Sequence, residues 1–218
     1  MCVVLKFLGY NVGMRHKWLN NEHNKSLILF FNGWGMDEDV VKHLLFGEFD
    51  VLMFYDYNCL DTDFNFDMLD KYKNIYLVAW SMGVMIGSIL GVKIKNLTYS
   101  VAINGTLHPI DENYGINPRI YDLTIRGFNE NGSKKFVSKM FNTDTTLMLS
   151  RSLQNQKSEL AALRNYTANL DFKYDKVFIS DNDNIIPTKN QCAFWNMTPN
   201  IKSGHCPFLE FGEWSEII

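Results

Sequence analysis

Five short apolar runs constrain this chain more than anything else in it. They fall at residues 27–31 (LILFF), 50–55 (DVLMFY), 75–80 (IYLVAW), 97–103 (LTYSVAI) and 176–180 (KVFIS). Each has the length of a strand, and most of their apolar residues are consecutive rather than alternate, as in strands buried on both faces. Asn32-Gly33, Asp56 and Asn104-Gly105 follow three of them as turn residues. Helical patterning falls between or after them, at 38–45, 82–90 and 188–195. Strands alternating with helices predict an α/β fold, a mostly parallel central sheet covered on both sides. At 218 residues and 46% hydrophobic content, the chain suits one domain with one sizeable core.

The alternation fails between residues 109 and 172, where no strong strand signal occurs. Three helical pieces are expected there, at 118–126, 133–141 and 150–170. A single crossover needs far fewer residues, so the stretch reads as a helical cap inserted into the sheet domain. The expected division is a core of 14–108 and 173–218, a cap of 109–172, and a possible N-terminal extension at 1–13. Residues 115–157 carry seven basic side chains, Arg119, Arg126, Lys134, Lys135, Lys139, Arg151 and Lys157, against Asp122, Glu130 and Asp144. Such an excess is ordinarily a solvated helix face. It also suits docking of an acidic partner.

The formal net charge of −3 argues against a nucleic-acid partner. The four cysteines, at 2, 59, 192 and 206, form no CxxC pair and no metal-like cluster. Reduced thiols in a cytoplasmic protein are the better reading. No apolar run approaches the roughly 20 residues needed to cross a bilayer, so no membrane association is expected.

The chemistry centres on residues 76–84, YLVAWSMGV. A strand runs into Ser81 and a helix leaves it, with small residues two positions before (Ala79) and two after (Gly83). This is the pattern of a nucleophile elbow, with Ala in place of the usual first Gly. A serine at a helix start is also a common N-cap, so the motif alone is weak. A nucleophilic serine needs a base, and the base needs a carboxylate, here in the chain order Ser, acid, His. Residues 176–187 supply a strand ending in Asp181 and Asp183, and His205 follows in a glycine-bearing loop. The expected triad is Ser81, Asp183 and His205, with Asp181 the alternative acid. The remaining histidines, 16, 23, 43 and 108, read as structural. The backbone N–H groups of Trp34, in the glycine-rich loop 32–35, and of Met82 are the candidate oxyanion donors. This chemistry calls for no metal and no organic cofactor.

The segments LILFFNGWGMDEDVV, FDVLMFYDYN, IYLVAWSMGV, INGTLHPIDENYGI and KKFVSKMF together resemble the BioG-type pimeloyl-acyl-carrier-protein methyl ester esterases, from about residue 14 onward. The resemblance implies a compact α/β-hydrolase fold, with the family's serine at Ser81 and its acid and histidine at Asp183 and His205. It implies hydrolysis of the methyl ester on pimeloyl-carrier protein in biotin synthesis, with an acyl carrier protein as partner. Arg119, Arg126, Lys134, Lys135, Lys139 and Arg151 are then the candidate carrier-binding residues. Residues 14–19 look like the family's own start. The residues before them read as an upstream start or fusion remnant, or as an extra strand at 2–8. Two rival functions stand beside this one: a broader carboxylesterase or thioesterase on small or coenzyme A-linked acyl groups, and a non-catalytic binding module.

Overall fold

The computed structural model describes residues 13–142 and 150–218; the candidate strand at 2–8 lies outside them. Among the described residues six strands form one sheet: β1 (Arg15–Asn20), β2 (Ser26–Phe31), β3 (Phe49–Tyr55), β4 (Asn74–Trp80), β5 (Leu97–Ile103) and β6 (Lys176–Phe178). Their spatial order is β1-β3-β2-β4-β5-β6. β1 runs antiparallel to β3, and every other pairing is parallel.

The continuous apolar runs are explained by two cores, one on each face of the sheet. Leu27, Leu29 and Phe31 of β2 point into one cluster, while Ile28 and Phe30 point into the other. Alternate side chains leave a strand on opposite faces, so a strand covered on both sides is apolar at consecutive positions. The first core is closed by α1 (Met82–Gly91). The second is closed in part by aromatic side chains beyond β6, with Phe208 and Trp214 both edge-on to Phe30.

Between β5 and β6 the chain forms α2 (Pro118–Gly127), α3 (Glu130–Phe141) and α4 (Leu153–Leu163); α5 (Thr188–Trp195) follows β6. Asn117, Asn129 and Ser152 cap α2, α3 and α4 through their side chains.

Three elements depart from expectation. β1 was not foreseen: its sequence, RHKWLN, is polar because it pairs on one side only and carries partly exposed side chains. The helix expected at 38–45 is a single 3-10 turn, Glu38–Val40. The backbone of Leu45 is used elsewhere, accepting from the Trp214 N–H and donating to the Gly212 carbonyl, so the helix cannot extend through it. The helix expected at 150–170 covers only Leu153–Leu163. Farther on, the Asn169 N–H is taken by the Ser88 hydroxyl of α1.

Candidate active site

Ser81 stands between the end of β4 and the start of α1 with φ 58° and ψ −124°. Positive φ is strained for a residue with a Cβ, and such strain persists only where surrounding structure enforces it. The Ser81 N–H is fixed on the Ile103 carbonyl at 2.9 Å. The turn also needs Gly83, because a Cβ there would lie 2.2 Å from the Phe31 carbonyl oxygen. The Ser81 side chain makes no capping hydrogen bond to α1, which removes the N-cap explanation for this serine.

The hydroxyl instead meets His205. The Oγ–Nε2 distance is 2.8 Å, and the other ring nitrogen, Nδ1, lies 2.7 Å from Asp183 Oδ2. A carboxylate on Nδ1 favours the tautomer protonated there, leaving Nε2 to accept from the serine. Asp183 is held by more than the imidazole: its Oδ1 accepts from the Ile185 and Ile186 N–H groups, and its Oδ2 accepts from Gln191 Nε2. Asp181 is exposed and accepts the Ser203 N–H, so of the two candidate acids Asp183 is the one on the imidazole.

The loop carrying His205 is clamped from the sheet. Its carbonyl accepts from Trp80 Nε1 at 2.8 Å and from Asn104 Nδ2 at 3.0 Å. Asn104 was legible only as a turn residue, and Gln191 gave no signal in the sequence. Cys206 is buried, and that burial pushes its thiol up to about 12. His43 hydrogen-bonds the Phe208 carbonyl, His16 lies beside Asp63, and His108 packs on Phe194.

Trp34 and Met82 both line the same cavity as Ser81. Among the described residues, neither backbone N–H has a hydrogen-bond partner in the protein. The Met82 N–H opens α1, where N–H groups lack intrahelical acceptors. Gly35 holds φ at +74°, which lets the loop turn back after Trp34. The Trp34 indole donates to the Gln156 carbonyl of α4, and its ring stacks edge-on against Phe128 and Phe136.

The cavity measures about 370 Å³ and is walled mainly by apolar side chains from α2, α3 and the turn between them, among them Ile120, Leu123, Phe128 and Phe136. Lys135 and Lys139 also line it, and both are exposed. Arg119, Arg126 and Lys134 are exposed on the same two helices. Arg151 does not join them. Its side chain is 4% exposed and paired with Asp56 at 2.9 Å and with Glu159 at 2.8 Å. It is a structural cation locked inside the protein, and the expectation that it faces a partner is corrected.

Among the described residues, no group of three or more His, Cys, Asp or Glu side chains could hold a metal ion. No helix among them is long and apolar enough to cross a membrane.

The mostly parallel sheet, the strained serine at a strand–helix turn and the chain order Ser, Asp, His define an α/β-hydrolase. Residues 14–217 match the family model described as pimeloyl-ACP methyl esterase BioG, and the chain belongs to that family of carboxylic ester hydrolases. The crystal structure of BioG from Haemophilus influenzae superposes with a TM-score of 0.85 at 30% identity, covering 94% of this chain and 99% of that one. An esterase from Exiguobacterium antarcticum, at 15% identity and a TM-score of 0.69, shares the fold. A protein from Bacteroides fragilis named malonyl-[acyl-carrier protein] O-methyltransferase is 38% identical over 181 residues, 78% of this chain. The chain spans only 36% of that relative's length.

Proposed function

We propose that this protein is a serine esterase that hydrolyses the methyl ester of pimeloyl-acyl-carrier protein, releasing methanol and the free ω-carboxylate. The observation that carries the reading is the Ser81 hydroxyl, 2.8 Å from His205 Nε2 and opening on an apolar cavity. His205 takes the serine proton as Oγ attacks the ester carbonyl. The Trp34 and Met82 N–H groups receive the oxyanion, and Asp183 stabilises the imidazolium. His205 then protonates the departing methoxide, and in the second half of the reaction it activates water against the acyl-enzyme.

Family membership supports the carrier-linked substrate, and two features of this chain agree with it. The acyl chain is apolar up to its ester, as is most of the cavity wall. Carrier proteins are acidic, and Arg119, Arg126, Lys134, Lys135 and Lys139 are exposed on helices that wall the cavity. In this reading residues 109–172 are a cap on a single domain, the five basic residues receive the carrier, and the chain works in the cytoplasm.

The test compares Ser81→Ala with the parent on pimeloyl-carrier-protein methyl ester and on p-nitrophenyl butyrate. Folded Ser81→Ala enzyme should have essentially no activity on either; near-parent turnover would remove the catalytic assignment. A parent that cleaves the small ester well and the carrier substrate poorly would favour the broader carboxylesterase.

A further inference from the structure

The loop that carries Trp34 is held at both ends by one carboxylate. Glu159 of α4 is fully buried and sends Oε2 to the Gly35 N–H at 3.0 Å and Oε1 to the Tyr57 N–H at 2.8 Å. Tyr57 in turn donates its hydroxyl to the Asn32 carbonyl at 2.8 Å. Glu159 therefore grips loop 32–35 directly at Gly35 and, through Tyr57, at Asn32. Arg151 Nη1 neutralises it at 2.8 Å, and the same guanidinium is shared with Asp56.

A buried ion pair is a poor way to gain stability, since well-packed apolar side chains of similar volume often do as well or better. What such a group supplies here is direction. A carboxylate is acceptor-only, with two oxygens, and three donors converge on this one. Burial pushes the carboxyl up and the Arg151 guanidinium opposes that shift, so the arginine supports the charged form that can accept all three bonds. An amide would offer one oxygen and turn its NH₂ toward at least one of the donors. An apolar side chain would leave the Gly35 and Tyr57 N–H groups unpaired in a dry interior.

We propose that Glu159 is a positioning residue for ester hydrolysis: it fixes the direction of the Trp34 N–H and so sets the oxyanion site from α4. The inference rests on the esterase reading above. It makes α4 part of the catalytic apparatus, although no α4 side chain touches Ser81 or His205 through a hydrogen bond among the described residues.

The experiment uses three near-isosteric variants of the full chain, Glu159→Gln, Tyr57→Phe and Asp56→Asn, assayed on p-nitrophenyl butyrate and on the carrier-linked methyl ester. Asp56→Asn weakens the same buried ion network without touching loop 32–35, so it reports the cost of the network alone. Deleting an oxyanion donor costs about 10²–10³ in rate, and misdirecting one costs less. Glu159→Gln should lower kcat about tenfold, by the same factor on both esters, with KM within about threefold of the parent. Tyr57→Phe should lower kcat in the same uniform way by a smaller factor, and Asp56→Asn should keep kcat within about twofold. The proposal is overturned if Glu159→Gln matches Asp56→Asn in kcat, or if kcat across the three simply follows their thermal midpoints. Should Glu159→Gln not fold, the same comparison of Tyr57→Phe with Asp56→Asn decides. An active Ser81→Ala would instead dismiss the esterase reading itself, a separate outcome.

Discussion

Replacing Gly83 by alanine tests the strand–turn–helix directly. The added Cβ would lie 2.2 Å from the Phe31 carbonyl oxygen, 2.6 Å from the Asn32 carbonyl oxygen and 2.8 Å from the Phe31 carbonyl carbon. All three obstacles are backbone, so no side chain can rotate out of the way. Restoring ordinary contact requires the start of α1 and the end of β2 to separate by about 1 Å, a change of the size that costs about 1–3 kcal/mol in a close-packed interior. For a chain of this length that is a drop in thermal midpoint of roughly 2–12 °C. The rate should suffer more than the stability. Asn32 leads into the loop bearing the Trp34 N–H, while Ser81 and the Met82 N–H sit at the start of α1, so separating the two elements pulls the two proposed oxyanion donors apart. A misplacement of about 1 Å can cost about 10²-fold in rate. The assay is kcat/KM on p-nitrophenyl butyrate, with a thermal melt alongside. Gly127→Ala is the stability control, since a Cβ there meets nothing within 4 Å. Gly83→Ala with activity within threefold of the parent and an unchanged melt would refute the close-approach argument.

Asp183→Asn should lower kcat by about 10³–10⁴ and Asp181→Asn by less than tenfold; steady-state kinetics on either ester check this, because only Asp183 reaches the imidazole. Reversing Arg126, Lys134 and Lys135 together to Glu should raise KM for the carrier-linked ester while sparing p-nitrophenyl butyrate. The difference should shrink in 0.5 M salt, since exposed charges contribute only about 0–1 kcal/mol each and are screened. Cys206 should resist iodoacetamide in the native enzyme at pH 8, because burial holds its thiol near 12; peptide mapping after quenching reads its modification.

The central strands were legible because burial on both faces writes itself as unbroken apolar sequence, as at residues 27–31. β1 was not, because a strand paired on one side keeps polar residues and loses that signature. The segment at 38–45 looked helical because Val40, Val41 and Leu44 recur at helical spacing and are buried, yet a distant backbone bridge through Leu45 decided its shape. At the site, Ser81, Asp183 and His205 could be read from local turn chemistry and chain order. Asp183 was preferred to Asp181 only for its spacing to Pro187, whereas what holds it in place is Ile185, Ile186 and Gln191 converging on one carboxylate. Arg151 looked like any other cation of its segment. Its burial depends on Asp56, which follows β3, far earlier in the chain. Glu159 and Tyr57 left no trace, because their roles consist of bonds to backbone more than 100 residues away or to a loop read only for its glycines.

The narrowest pairing in the sheet has a consequence for how this protein fails. β5 and β6 are joined through three residue pairs, Val101 with Lys176, Ala102 with Val177 and Ile103 with Phe178. That seam stands between the half of the molecule bearing Ser81 and the half bearing Asp183 and His205, but the two are also tied through Asn104 and Trp80, through Leu45 to Gly212 and Trp214, and through Phe208 and Trp214 packed on Phe30. Proteins open in cooperative pieces, and a piece that shares a buried core with the rest opens together with it. The histidine-bearing segment cannot detach alone, because Phe208 and Trp214, just beyond His205, are fully buried in one of the two cores of the sheet. Loss of turnover and melting of the sheet should therefore coincide on warming, with no compact, inactive species between them.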